Sequence, residues 1–322
     1  MTDGFVIDES SWIRVNSNDP NFIGMLRDFI ALLDEVRDKQ ILLYRHADIY
    51  NTLISSDMPI YSFLWEVDHG DSIDNDDLEF LRIAFDRCQI IDEDEFQLED
   101  YEAVVAGVKF LSPGLCWAHL RSKYGVAVSP VALPINGAVN NKIQVNVAGC
   151  TQELFFTFEP NDIKKYFRYA AIFEGFDETS LSNYAEHAFP KLYWTNAAWQ
   201  GLKVHKGLIL GKHYHDAFNH LCVLNDLGCD FFSKILDNDE ISRNFAANGV
   251  DASTENGRTR QNNECKAART KKYQDKYYEF WWHTKLSWDV GRIHFRHFPS
   301  EDGDGLGFIV IGLITDHAYL PG

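Results

Sequence analysis

The chain has no long apolar run. No stretch approaches the roughly 18 to 20 consecutive apolar residues that a membrane-spanning helix requires, so a helical membrane span is excluded. It also lacks the basic-then-apolar opening of a secretory leader, since MTDGFVIDESSW is acidic. The expectation is a cytoplasmic protein with no membrane partner. Cysteine is scarce and unpatterned. Cys88, Cys116, Cys150, Cys222, Cys229 and Cys265 form no CxxC pair and no zinc framework. In a reducing compartment such residues read as small buried apolar groups. No HExxH motif and no internal repeat is present. No cofactor and no metal site is expected.

What the chain does have is aromatic bulk and uneven charge. With 23 Phe, 14 Tyr and 8 Trp among 322 residues, it can build a sizeable core, in one to three domains. The net charge is −18, but residues 1–100 carry 24 acidic and 7 basic side chains, a balance of −17. Residues 258–298 carry 10 basic and 4 acidic ones, a balance of +6. An acidic third and a basic C-terminal stretch on one chain suggest a module for a polyanion and an acidic region that docks a partner or shields the module. Solvated faces account for the same numbers.

Residues 20–43 have apolar positions at helical spacing, with Asn18 or Asp19 as cap and Pro20 as first helical residue. Residues 75–90 repeat the pattern, with Leu78, Leu81, Ile83, Ala84 and Phe85 facing inward. DEDEFQLED at 92–100 reads as a boundary. KIQVNVAG and ELFFTFEP read as strands, the second closed by Pro160. NDIKKYFRYAAIF and KHYHDAFNHLCVLNDLGCDFFSKIL read as helices, and FPKLYWTNAAWQGL ends in one. Residues 238–263, poor in apolar groups and rich in Asn, Gly and Ser, read as a linker. The tail reads as a meander of Tyr277–Leu286, Arg292–Phe298 and Phe308–Ile314, with a GDG turn at 303–305.

Three constellations carry little. His213, His215 and His220 offer imidazoles, but not at the i, i+4 spacing that sets two ligands on one helix face. Glu264 and Lys266, with Asp251 upstream, form an acid-lysine triplet of the kind nucleases place on strands, yet here in a loop entering a helix. Arg292 and His297 have the R-x4-H spacing of the HEPN ribonucleases, which needs a helix, whereas RIHFRHF alternates like a strand.

The alternation itself says more. A period of two puts Arg292, His294 and Arg296 on one face of GRIHFRHF, with Ile293 and Phe295 toward the core. In FWWHTKL, His283 and Lys285 likewise share a face. Pairing these strands would gather two histidines, two arginines and a lysine, with His317 nearby at the end of the chain. Such a face suits RNA: cations hold phosphates and aromatics stack on unpaired bases. Metal-free RNA cleavage needs a base, an acid and a cation, and histidine fills either proton role near neutral pH. An antiparallel sheet with one solvated face is the plain alternative.

Residues 264–322, with RIHF at 292–295 and IVIGLITDH at 309–317, resemble the RelE/HigB superfamily of small ribonuclease toxins. The ending WHTKL…GRIHF…IGLI…H also resembles that of uncharacterised bacterial proteins from phage-defence and mobile-element neighbourhoods. The first resemblance implies a basic helical part, here ECKAARTKKY, followed by a short antiparallel sheet that acts on RNA. The whole reading is an α+β protein with an acidic helical domain over 1–100, a mixed middle region over 101–237 and a basic sheet module over 258–322. The expected function is a nucleic-acid-directed effector, a metal-independent endoribonuclease-like toxin of a bacterial anti-phage defence system. Its alternative is a non-catalytic subunit that binds a partner through the acidic region. His283, His294, Arg292 and His317 are the candidate catalytic residues. Lys285, Arg296, Lys271, Lys272 and Arg269 are the candidate nucleic-acid contacts.

Overall fold

The computed structural model describes residues 4–14, 21–54, 58–70, 72–91, 101–134, 140–175, 178–234, 237–287, 291–300 and 307–316. The chain divides into two compact units, Met1–Glu174 and Gly175–Gly322. The α+β class is as expected.

Unit 1 begins with β1 (Phe5–Ile7), a wholly buried strand, and the short helix α1 (Glu9–Arg14). Helix α2 (Phe22–Asp38) follows, then β2 (Leu43–Arg45), the two-residue strands β3 (Leu53–Ile54) and β4 (Met58–Pro59), and α3 (Ile60–Trp65). Next come α4 (Asn75–Arg87), β5 (Gln89–Ile90), β6 (Glu102–Val105), β7 (Val108–Leu111) and α5 (Pro113–Lys123). The unit closes with β8 (Ser129–Val131), β9 (Lys142–Val147), β10 (Cys150–Phe155) and α6 (Pro160–Phe173).

Helix α2 forms where its periodicity places it. Phe22, Met25, Leu26, Phe29, Leu32, Leu33 and Val36 are its buried stripe. It starts at Asn21, and the expected capping residues 18–20 lie outside the described residues. In α4, Leu78, Leu81 and Phe85 face inward, capped by Asp74, but Ile83 is exposed. The charge run at 92–100 lies outside the described residues. The β9–β10 hairpin turns through Ala148 and Gly149, both with positive φ, which suits the twist of a two-residue turn.

The acidic third is not purely helical, and it is not a separate domain. Strands β5, β2, β1 and β8 form a parallel sheet in that order. Because β1 pairs with β8, residues 1–100 and 101–174 share one core. Strands of two or three residues such as FVI and LYR are too short to show a period. A second sheet, β10-β9-β6-β7, is antiparallel.

Unit 2 opens with α7 (Glu178–Ala188), β11 (Leu192–Trp194) and α8 (Asn196–Val204). A wide helical run Gly207–Lys212 leads to α9 (Tyr214–Val223), and another, Leu224–Gly228, to α10 (Cys229–Lys234). Then come α11 (Asn238–Ala247), β12 (Ala252–Thr254), α12 (Gly257–Gln261) and α13 (Asn263–Arg269). The strands β13 (Thr270–Tyr273), β14 (Lys276–Glu279), β15 (Trp282–Lys285), β16 (Arg292–Phe298) and β17 (Phe308–Thr315) complete the unit.

Three expectations are corrected by unit 2. Residues 238–263 are not a linker, because Asp237, Asn256 and Asn262 are side-chain caps of α11, α12 and α13. Residues 258–322 do not stand alone as a module. The five-stranded sheet runs β11-β17-β16-β15-β12, so both its edges come from before residue 258. The expected strand from Tyr277 to Leu286 is in fact two strands in two sheets, β14 and β15, interrupted at Phe280 and Trp281.

Candidate functional site

The site grows from the register of β15 on β16. The strands are antiparallel, with His283 opposite His294 and Lys285 opposite Arg292. The period of two therefore sorts the side chains as expected. Thr284, Ile293 and Phe295 take the other face, where Phe232 and Phe245 pack on Phe295 and His220 Nδ1 lies 3.0 Å from Thr284 Oγ1.

The expected exposure of the histidine face is not found. His294 is 1 % exposed, and His283 and Arg292 are 8 % and 7 %. Phe280 covers the sheet at Gly312 of β17, where a Cβ would stand only 2.2 Å from the ring. Backbone bonds from Phe280 N to Arg269 O and from Glu255 N to Trp281 O fasten this crossover. They also bring Glu255 and Arg269 onto the two histidines.

Glu255 accepts from Arg269 Nε at 2.8 Å, and Arg269 Nη2 stands 2.7 Å from the same oxygen, Oε1. The pair is nearly dry, with side-chain exposures of 1 % for Arg269 and 9 % for Glu255. His283 Nδ1 is 3.8 Å from Glu255 Oε1, too far for a hydrogen bond. The His283 and His294 ring centroids are 5.1 Å apart. His294 Nδ1 donates to the Phe280 carbonyl at 3.3 Å. His283 Nδ1 and His294 Nε2 are buried and have no hydrogen-bond partner.

Burial pushes both imidazoles down. His283 falls to about 4, chiefly by desolvation, with Glu255 opposing and Arg292, Lys285 and Arg269 adding to the fall. His294 lies well below the ordinary histidine value, first by desolvation and then through His283 and Arg269. Both rings are neutral at pH 7. A neutral imidazole can take a proton or hold a metal ion, but it cannot serve as a proton-donating acid. Glu255, His283 and His294 each offer a donor atom, all within 4.8 Å of one another. Among the described residues, His213, His215 and His220 form no such grouping.

The remaining candidates are dispersed. Arg292 Nη1 donates to the Ser287 and Gly291 carbonyls at 3.1 Å. Lys285 pairs with Asp251 at 3.1 Å. Arg269 is inside the unit, bound to Glu255, and is not a surface contact. Arg296 is exposed and lies over the Tyr278 and Phe298 rings at 5.3 and 5.4 Å. Lys271 is half-buried on the β13–β14 hairpin, and burial lowers its pKa. Lys272 is exposed, 3.9 Å from Asp275. His317 lies outside the described residues. Glu255 was missed because it sits in a stretch whose composition reads as a loop. Only its backbone bond to Trp281, which is long-range, places it at the site.

Comparison with family models, with curated proteins and with solved structures finds no match in any of the three. Among the described residues no helix is long and apolar enough to cross a membrane.

Proposed function

We propose that the protein is a nucleic-acid-directed effector, an endoribonuclease-like toxin of a bacterial anti-phage defence system, with its reactive centre at His283 and His294. The observation that carries this reading is the direct cross-strand pairing of the two histidines beside Glu255. The basic stretch 258–298 supplies the electrostatic attraction for a polyanion. Arg296 stacked on Tyr278, with Lys272 on the neighbouring hairpin, offers the exposed cations and aromatic faces that single-stranded RNA uses.

The test is RNA cleavage by the purified full-length protein, beside His283→Ala and Arg296→Ala variants and with total RNA followed in expressing cells. Wild type is expected to cut RNA. His283→Ala should lose at least about 100-fold in rate, the lower end of a positioned proton-transfer or electrostatic contribution. Arg296→Ala should weaken binding and flatten its salt dependence. RNA left intact by soluble, folded wild type would move the reading to a non-catalytic subunit that binds a protein partner through its acidic region.

A further inference from the structure

We infer that Glu255, His283 and His294 form the binding site of one divalent transition-metal ion of the zinc type. The inference uses the same side chains as the proposed function but does not need RNA to be the substrate.

The first ground is the hydrogen-bond inventory. A carbonyl can only accept, so the bond to Phe280 fixes the proton of neutral His294 on Nδ1. Nε2 is then a bare lone pair, buried and without a partner. His283 Nδ1 is a second buried ring nitrogen without a partner, facing the Glu255 carboxylate. A buried polar atom left without a partner is destabilising, and native proteins leave few of them. Two on facing side chains, beside a carboxylate, call for a shared partner. A cation satisfies all three at once.

The second ground is the set of supporting contacts. An imidazole ligand whose other nitrogen donates to a backbone carbonyl, and a carboxylate ligand itself held by hydrogen bonds, are the usual outer partners of a metal centre. Phe280 serves His294 in this way, and Arg269 serves Glu255. Arg269 occupies one oxygen of Glu255, and a carboxylate has about four lone-pair sites.

The donor chemistry selects the ion. Two imidazoles and a carboxylate suit zinc, iron or nickel, whereas magnesium and calcium prefer oxygen ligands. Arg269 also offsets the charge of Glu255, which disfavours a hard ion held by charge alone. Zinc bonds of roughly 2.0–2.2 Å place donors closer together than 4.8 Å, so loading the site requires the His283 and Glu255 side chains to close in on the ion.

The experiment is metal analysis of the purified full-length protein. It is followed by chelator treatment and titration with Co²⁺, read by visible absorption and competed with Zn²⁺, all without RNA. One equivalent of Co²⁺ displaced by Zn²⁺ is expected, with affinity falling at least about 100-fold in His283→Ala and in Glu255→Gln, beyond the 10- to 100-fold typical of an outer-partner loss. Circular dichroism confirms that each variant is folded. Should one unfold, the wild-type stoichiometry and His283→Gln still decide. No stoichiometric uptake by folded wild type, or uptake unchanged in the variants, overturns the site. RNA cleavage without metal uptake would leave the proposed function standing and remove this inference. Metal uptake without RNA cleavage would do the reverse.

Discussion

Glu9 follows β1 with its carboxylate against the first turn of α5. Oε2 accepts from Ser112 Oγ at 2.7 Å and from Gly114 N at 3.0 Å, while Oε1 is buried without a partner. Its neighbour Asp8 is satisfied by Ser10 and by Arg14 at 2.7 Å. Desolvation outweighs these bonds and raises the Glu9 pKa from 4.5 to about 7. A raised acid binds its proton more tightly in the folded state. The associated stability is complete below the ordinary value near 4.5 and is lost as pH rises through 7. Denaturant unfolding should therefore show stability falling from pH 5 to pH 8, with on the order of 3 kcal/mol due to this group. Glu9→Gln should flatten that dependence and be the more stable form at pH 8. An unchanged pH profile in the variant would refute the assignment. Nothing in the string DESS announces burial, because burial comes from α5, about a hundred residues away.

At the scale of elements, the alternation of GRIHFRHF and FWWHTKL put His283 and His294 on a common polar face once the strands pair; the register that sets them opposite each other is the structure's. That alternation is a local property of extended backbone, so it is legible locally. Which face meets water is not local. Phe280 reaches over β17 because position 312 has no Cβ; one there would lie 2.2–2.5 Å from ring atoms of Phe280. Gly312→Ala should thus destabilise the unit by about 1–3 kcal/mol, the usual range for overpacking a filled core. A urea midpoint equal to wild type would show that Phe280 moves aside freely. The same reasoning explains the misread segment 238–263. Asn and Asp there are helix caps, and caps and loops share a composition.

For the whole molecule, the two compact units divide the chain at 174, inside what composition marks as a middle region. Sheet pairing decides this: β8 belongs with β1, and β11 belongs with β17. A fragment of residues 175–322 should accordingly fold by itself, with one cooperative thermal transition by circular dichroism. A fragment of 258–322 loses β11, β12 and Glu255 and should be unfolded. A folded shorter fragment would contradict the sheet order as the basis of the unit.

The sequence by itself determined the long amphipathic helix α2, the strand character of β9 and β10, the alternating strands that bear the histidines and the separation of charge along the chain. Each is set by neighbours within a few residues, through periodicity, turn chemistry or simple counting. Only the tertiary structure decided that the histidine face is dry, that Arg269 is an internal partner and that Glu255 completes the site. Those outcomes rest on contacts between distant segments, and desolvation then changes the chemistry of the same side chains.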